Sequence, residues 1–211
     1  MAGAGAGVGR SILRSRRRAR LIRANGCSGE ASDAGRRITG SVTILGIDPG
    51  LANTGFGVVS RRGGRLQALD GGVIETASGA PPEQRLLELH REVCALIELH
   101  TPAAVALEAL YFGQNVASAL AVGQARGVVL LAAGQHGLPC VDYTPQQVKA
   151  AVCGSGRAAK DQVARMVQAV LGLAELPSPD HASDALAVAI CHANRAPLAQ
   201  LAQNADLAVR A

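Results

Sequence analysis

The 211-residue sequence has very few aromatic residues, which make up 2% of the chain and include no tryptophan. Because 48% of the residues are nonetheless apolar, the core must be built from Ala, Val, Leu and Ile. This is enough material for one α/β domain, or for one domain with an appendage.

Long apolar runs and paired cysteines are also missing. The stretch 128–133 is much shorter than the roughly 20 apolar residues that a transmembrane helix needs. The five cysteines are an odd number, without a C-x-x-C pair or the spacing of a zinc site. These absences predict reduced thiols in a cytoplasmic protein, and they argue against a disulfide framework, a zinc centre and a membrane partner.

Positive charge is concentrated at the start of the chain. Residues 1–40 contain nine arginines and two acids, whereas residues 41–211 contain 12 basic and 14 acidic groups. The pI near 9.3 therefore reflects the N-terminal segment. We expect residues 1–41 to be disordered, because a Gly-, Ala-, Ser- and Arg-rich segment buries little apolar surface. An over-called start is favoured over a polyanion-binding tail or an organellar transit peptide.

Residues 42–196 alternate between strand-like and helix-like patterns. Apolar runs bounded by turn residues predict strands at 42–48, 54–60, 65–70 with 72–76, 103–108 and 139–143. Apolar residues at helical spacing predict helices around 86–97, at 115–135, after the capping-box residue Thr144, at 159–171 and at 179–194. We expect an α/β fold with a mixed five-stranded sheet, helices on both faces, and a flexible tail at 197–211.

Carboxylates follow two of the predicted strands. Asp48 closes the first strand and Glu108 the fourth, so they meet at one sheet edge if these strands are neighbours. Near the start of the last helix, Asp184 shares a face with His181 and also with Asp180. Such ligands suit Mg²⁺, and two such ions can activate water and stabilise the leaving oxygen of a phosphodiester.

Each of these residues also has a structural explanation. Asp48 precedes Pro-Gly and could form a turn, Glu108 could be a solvated charge, and Asp180 could favour the helix dipole. A single histidine such as His181 is more often a surface residue than a metal ligand. Spacing alone therefore predicts a metal site only weakly.

Four segments of the chain resemble the RuvC family of Holliday junction resolvases. They are ILGIDPGLANTGFGVV (44–59), ALEALYFGQNVASALAVGQARGVVLLAA (106–133), YTPQQVKAAVCGSGRAAKDQVARMV (143–167) and PDHASDALAVAICHA (179–193). The match is collinear over about residues 43–195. It implies an RNase H-like nuclease domain at 42–196.

The resemblance implies a homodimer that cuts two opposed strands of four-way junction DNA in recombination and repair, leaving 5′-phosphate ends. The candidate dimer seam is the helix at 115–135, and the implied partner is a RuvA–RuvB branch-migration complex. Two Mg²⁺ ions per site, replaceable by Mn²⁺, would be held by Asp48, Glu108, Asp184 and His181. Many members have Asp where His181 stands, so Asp180 is an alternative fourth ligand, although the motif position favours His181.

The resemblance also implies a set of DNA contacts. Lys149 and Lys160, the only lysines in the chain, match DNA-contacting lysine positions and can neutralise phosphates. Tyr111 stands where the family has an aromatic residue that stacks on a base, and Phe112 beside it is a substitute. The further candidates for backbone contacts are Arg157 and Arg126.

Two other function classes are consistent with parts of the sequence. A non-catalytic junction-binding relative with a decayed site is suggested by His181 alone. An actin-like ATPase shares the G-I-D-x-G pattern of the first strand, but it would need a second similar domain with its own phosphate loop.

Deleting residues 1–41 is expected to lower the pI and to leave junction cleavage largely intact, because DNA binding would depend on groups such as Lys149 and Lys160. Cleavage of a synthetic four-way junction by the full-length and shortened proteins, at low and at moderate salt, measures this. If the shortened protein cleaves much more slowly than the full-length protein, and the difference persists at moderate salt, residues 1–41 take a direct part in DNA binding.

Overall fold

The computed structural model describes residues 41–109 and 116–196, and within them one mixed sheet. Its strands are β1 (Val42–Asp48), β2 (Asn53–Arg62), β3 (Arg65–Glu75), β4 (Ala104–Glu108) and β5 (Cys140–Tyr143). They lie in the order β3-β2-β1-β4-β5, with β1 antiparallel to β2, β2 antiparallel to β3, and β1, β4 and β5 parallel. The predicted mixed five-stranded sheet is confirmed.

Helices cover both faces of this sheet. In the described residues they are α1 (Pro82–His100), α2 (Val116–Gln135), α3 (Pro145–Cys153), α4 (Lys160–Leu171) and α5 (Asp180–Arg195). The side chains of β1 alternate between the two faces. Ile44 packs in the core beneath α3, α4 and α5, whereas Leu45 packs in the core beneath α1 and α2.

One local feature of the sequence folds as its pattern indicates, and another differs from its pattern. The capping box at the start of α3 is formed: the Gln147 N–H donates to Thr144 Oγ1 over 3.3 Å, and the Thr144 N–H donates to Gln147 Oε1 over 2.9 Å. β3 is one continuous strand, where the sequence suggested two pieces. A register shift opposite Val58 and Val59 lets the ladder with β2 continue through Gly71 and Gly72.

The last helix lies unusually close to the sheet. Three glycines of β1 and β2 face α5, and a Cβ at any of them would overlap its backbone: Gly46 against Ala185, Gly55 against His181 and Gly57 against Leu186. Because these positions carry no side chain, α5 can approach β1 and β2 at backbone contact distance. The same helix is buried from Ala182 to Ala193, except at the half-buried Asp184.

None of the helices in the described part of the chain is both long and apolar enough to span a membrane.

Candidate active site

The site begins at the carboxyl ends of two neighbouring strands. β1 and β4 are parallel, and Ile47 pairs with Leu107, so the next residues, Asp48 and Glu108, emerge together at one sheet edge. The two carboxyls lie close enough for Asp48 to raise the pKa of Glu108. The strand arrangement on which the sequence argument depended is therefore present.

The first turns of α5 bring two further groups to the same edge. His181 Nδ1 lies 2.7 Å from Asp48 Oδ2, although the two residues are 133 positions apart in the chain. Asp184, one turn further along α5, is near enough to affect the pKa of Glu108 electrostatically. Gly55 makes this approach possible, because a Cβ there would overlap the backbone of His181.

Burial and mutual repulsion alter the protonation of these carboxyls. The pKa of Glu108 is raised to about 7, first because burial penalises the charged form, and then because Asp48 and Asp184 add negative charge. Burial also raises the pKa of Asp184, and the Lys160 ammonium opposes this rise. In the absence of a divalent cation, Glu108 therefore keeps its proton until the pH is near neutral, whereas an ordinary carboxyl loses its proton at a much lower pH.

Glu108→Gln is expected to remove a pH dependence of stability from the metal-free protein. The pKa of Glu108 rises from 4.5 to about 7 on folding, so the folded state binds more protons in this interval. The free energy of unfolding should then fall as pH rises from 4.5 to about 7, by roughly 2–3 kcal/mol. Urea unfolding in EDTA across this pH range measures the effect. Equal slopes for the wild type and Glu108→Gln would contradict it.

The residues present fit divalent cations by type, and they meet at one edge of the sheet. Three carboxylates and one imidazole converge, and hard cations such as Mg²⁺ prefer oxygen ligands. In the residues that the structure describes, no three His, Cys, Asp or Glu side chains are already placed to hold one metal ion. Asp48 is instead paired with His181, and Asp184 Oδ2 lies 3.4 Å from Lys160 Nζ. A cation would replace these internal partners, because it relieves the repulsion that raises the pKa of Glu108.

A groove beside the carboxylates contains both lysines. Its lining residues are Glu108, Pro145, Val148, Lys149, Lys160, Val163, Asp184 and Ala187. Lys149 comes from α3 and Lys160 from the first position of α4. The groove therefore presents two positive charges to a ligand that approaches the carboxylates.

The other predicted contacts are distributed unevenly. Arg157 is exposed in the turn before α4, close in the chain to Lys160. Arg126 is 17% exposed, and its Nη2 lies 2.7 Å from Asp142 Oδ2, so much of its charge is already compensated within the chain. Tyr111 and Phe112 lie outside the described residues.

One supporting residue was missed in the sequence. Thr54 is fully buried, and its hydroxyl donates to the Gly50 carbonyl over 2.5 Å, which closes the loop that follows Asp48. A threonine four residues after Gly50 in D-P-G-L-A-N-T is a spacing that such a side-chain turn requires. The spacing is visible in the sequence, but its importance follows only from the structure, in which this loop comes directly after Asp48.

A comparison with protein families and curated proteins gives one consistent result. A profile described as "Crossover junction endodeoxyribonuclease RuvC" matches residues 44–192. A protein of that name from Pelotomaculum thermopropionicum is 52% identical over 132 residues, which cover 63% of this chain and 80% of the relative. A protein of the same name from Moorella thermoacetica is 54% identical, with 63% and 79% covered.

Solved structures agree with this result. The structure of T. thermophilus RuvC in complex with a Holliday junction substrate superposes with a TM-score of 0.70 at 42% identity, covering 72% of this chain and 93% of that one. The yeast mitochondrial Holliday junction resolvase Ydc2 has a TM-score of 0.54 at 14% identity, covering 83% and 88%, and shows likeness of fold alone.

Proposed function

Because the chain belongs to the RuvC family of crossover junction endodeoxyribonucleases, we propose that it resolves Holliday junctions by cutting two opposed DNA strands in recombination and repair. The observation that carries this proposal is the meeting of Asp48 and Glu108 with the start of α5, beside a groove lined by two lysines. The nuclease domain would comprise residues 42–196, and we place the enzyme in the cytoplasm.

Asp48, Glu108, Asp184 and His181 are the proposed holders of two Mg²⁺ ions, with Mn²⁺ as a substitute. When bound, such ions would activate the attacking water and stabilise the leaving oxygen. His181 is the preferred fourth ligand, because it contacts Asp48 directly, whereas the Asp180 side chain is 80% exposed and faces Lys160.

The chain's own residues would bind and orient the DNA. Lys149 and Lys160 would each neutralise a backbone phosphate at the groove, and the exposed Arg157 would extend this positive strip. Arg126 stays a proposed contact with less support, because it is paired with Asp142. Tyr111 and Phe112 are proposed to stack on a base exposed at the junction.

A homodimer would present two identical sites to the two-fold symmetric junction. α2 is the proposed seam, because it exposes Leu120, Leu130 and Leu131, and because the Cβ positions of Gly123 and Gly127 are open. Sedimentation equilibrium of the full chain tests this assembly. A RuvA–RuvB branch-migration complex is proposed as the partner from the family resemblance alone.

The decisive experiment is cleavage of a synthetic immobile four-way junction in the presence of Mg²⁺, with each strand labelled in turn. Symmetric nicks in two opposed strands with 5′-phosphate ends are expected, and a linear duplex of the same sequence should stay uncut. Binding without nicks would favour the non-catalytic alternative, and ATP turnover in place of nicks would favour the actin-like alternative.

A further inference from the structure

The Lys160 ammonium lies between two carboxylates of another helix. Its Nζ is 3.1 Å from Asp180 Oδ2 and 3.4 Å from Asp184 Oδ2. Lys160 is the first residue of α4, and Asp180 is the first residue of α5. The contact therefore joins the beginnings of two helices at the edge of the proposed metal site.

Asp180 and its neighbour His181 have divided roles in this geometry. His181 turns towards Asp48, and Asp180 turns towards Lys160. Asp180 is 80% exposed, whereas Asp184 is 29% exposed, so the two carboxylates hold the ammonium from the solvent side and from the site side respectively. α4 has no side-chain cap that could fix its first turn, since its N-cap residue is Ala159. The contacts that the structure shows for the Lys160 ammonium are its ion pairs with Asp180 and Asp184.

We propose that Asp180 is a positioning residue that holds the Lys160 ammonium at the mouth of the site. There Lys160 is the counter-ion of Asp184 until divalent cations replace it, and Asp180 then keeps the ammonium within reach of a DNA phosphate. This inference rests on the proposed function, and it removes Asp180 from the set of candidate metal ligands.

The arrangement has two physical consequences. A monovalent cation on Asp184 competes with a divalent one, so Lys160 lowers the affinity of the DNA-free protein for divalent cations. Once a divalent cation binds Asp184, Asp180 is the carboxylate left to hold the ammonium. Loss of Asp180 should therefore lower the cleavage rate by releasing Lys160, and it should not lower the rate by removing a metal ligand.

Calcium titration of the DNA-free, full-length protein by calorimetry tests the first consequence. Lys160→Gln should bind Ca²⁺ about threefold or more tightly than the wild type, the gain expected from removing two partly exposed ion pairs. The matched control is Lys149→Gln, which removes the other lysine of the groove. It should weaken junction binding and leave Ca²⁺ affinity unchanged. Unchanged Ca²⁺ affinity of Lys160→Gln would overturn the competition.

A double-mutant cycle tests the second consequence. In the Lys160→Gln background, Asp180→Asn should change Ca²⁺ affinity by no more than about twofold, through lost long-range attraction. A metal ligand would instead cost roughly tenfold or more in both backgrounds, and that result would overturn the proposal. These titrations contain no DNA, so their outcome is separate from whether the chain cuts junctions.

Single-turnover cleavage at saturating junction completes the cycle. Asp180→Asn should lower the cleavage rate with Lys160 present, leave junction affinity nearly unchanged, and have no further effect once Lys160 is replaced by Gln. Asp180→Glu should restore much of the rate, because it returns the negative charge. Equal losses from Asp180→Asn in both backgrounds would show that Asp180 acts independently of Lys160 and would overturn the positioning role.

Discussion

Asp48→Asn is expected to bind a four-way junction as the wild type does and to leave its strands uncut. The amide keeps the size of the carboxylate, but it removes a negative charge that faces Glu108, Asp184 and His181. The proposed phosphate contacts, Lys149 and Lys160, are untouched. We expect the cleavage rate to fall by about a thousandfold or more, because Asp48 is a proposed metal ligand and the amide carries no charge.

Gel-shift binding and single-turnover cleavage of the same labelled junction measure the two parts of this result. Asp161→Asn is the matched control, because Asp161 is an exposed acid in the first turn of α4 and has no proposed part in the site. It should cut at nearly the wild-type rate. Cleavage by Asp48→Asn at a rate close to that of the wild type would remove Asp48 from the mechanism.

An independent readout avoids the need for activity. Asp48 is one of the charges that raise the pKa of Glu108. In the metal-free protein, Asp48→Asn should therefore move the fall in stability towards lower pH. A pH profile identical to that of the wild type would show that the two carboxyls do not interact.

Gly46→Ala is expected to destabilise the protein by about 3 kcal/mol, although it adds only a methyl group. The new Cβ would overlap the backbone of Ala185 and the Cβ of Ala189, and neither can move without displacing α5. Because α5 also carries His181 and Asp184, a displaced helix should impair cleavage even in the molecules that remain folded. The expected loss is one of packing geometry, since no charge or hydrogen bond is removed.

Urea unfolding at fixed pH measures this loss, and Gly79→Ala is the matched control. A Cβ at Gly79 has no heavy atom within 4 Å, and its backbone is not in the left-handed region, so its stability should change little. Gly57→Ala, whose Cβ would lie 2.7 Å from the backbone nitrogen of Leu186, should resemble Gly46→Ala. If Gly46→Ala is as stable as the wild type, the stability of the fold does not depend on the close packing of α5 against the sheet.

Local sequence patterns predicted the elements that carry the site. The apolar run ending at Asp48 and the run ending at Glu108 became neighbouring parallel strands, and the capping box at Thr144 became the start of α3. These predictions succeeded because strand and cap preferences depend on residues close together in the chain. The continuous β3 was not foreseen, because the register shift that permits it depends on its pairing with β2.

Pairings between distant parts of the chain could not be predicted in this way. The pattern of α5 placed Asp180, His181 and Asp184 within one turn, but it could not say which of them faces Asp48 and which faces Lys160. The sequence also offered Arg126 of α2 as a candidate contact to the DNA backbone, whereas the structure pairs it with Asp142 of β5. Such contacts depend on how separate elements pack together. The packing decides which of several residues of similar charge becomes the partner of a given side chain.

The sequence by itself determined which elements form, where their polar ends lie, and which residue types stand at those ends. Only the tertiary structure decided that α5 sits at backbone distance over Gly46 and Gly55, and that Asp48 and Glu108 share a half-buried edge. The physical reason is that propensities and caps act over a few residues, whereas the pKa of Glu108 depends on burial and on charges from elements far apart in the chain.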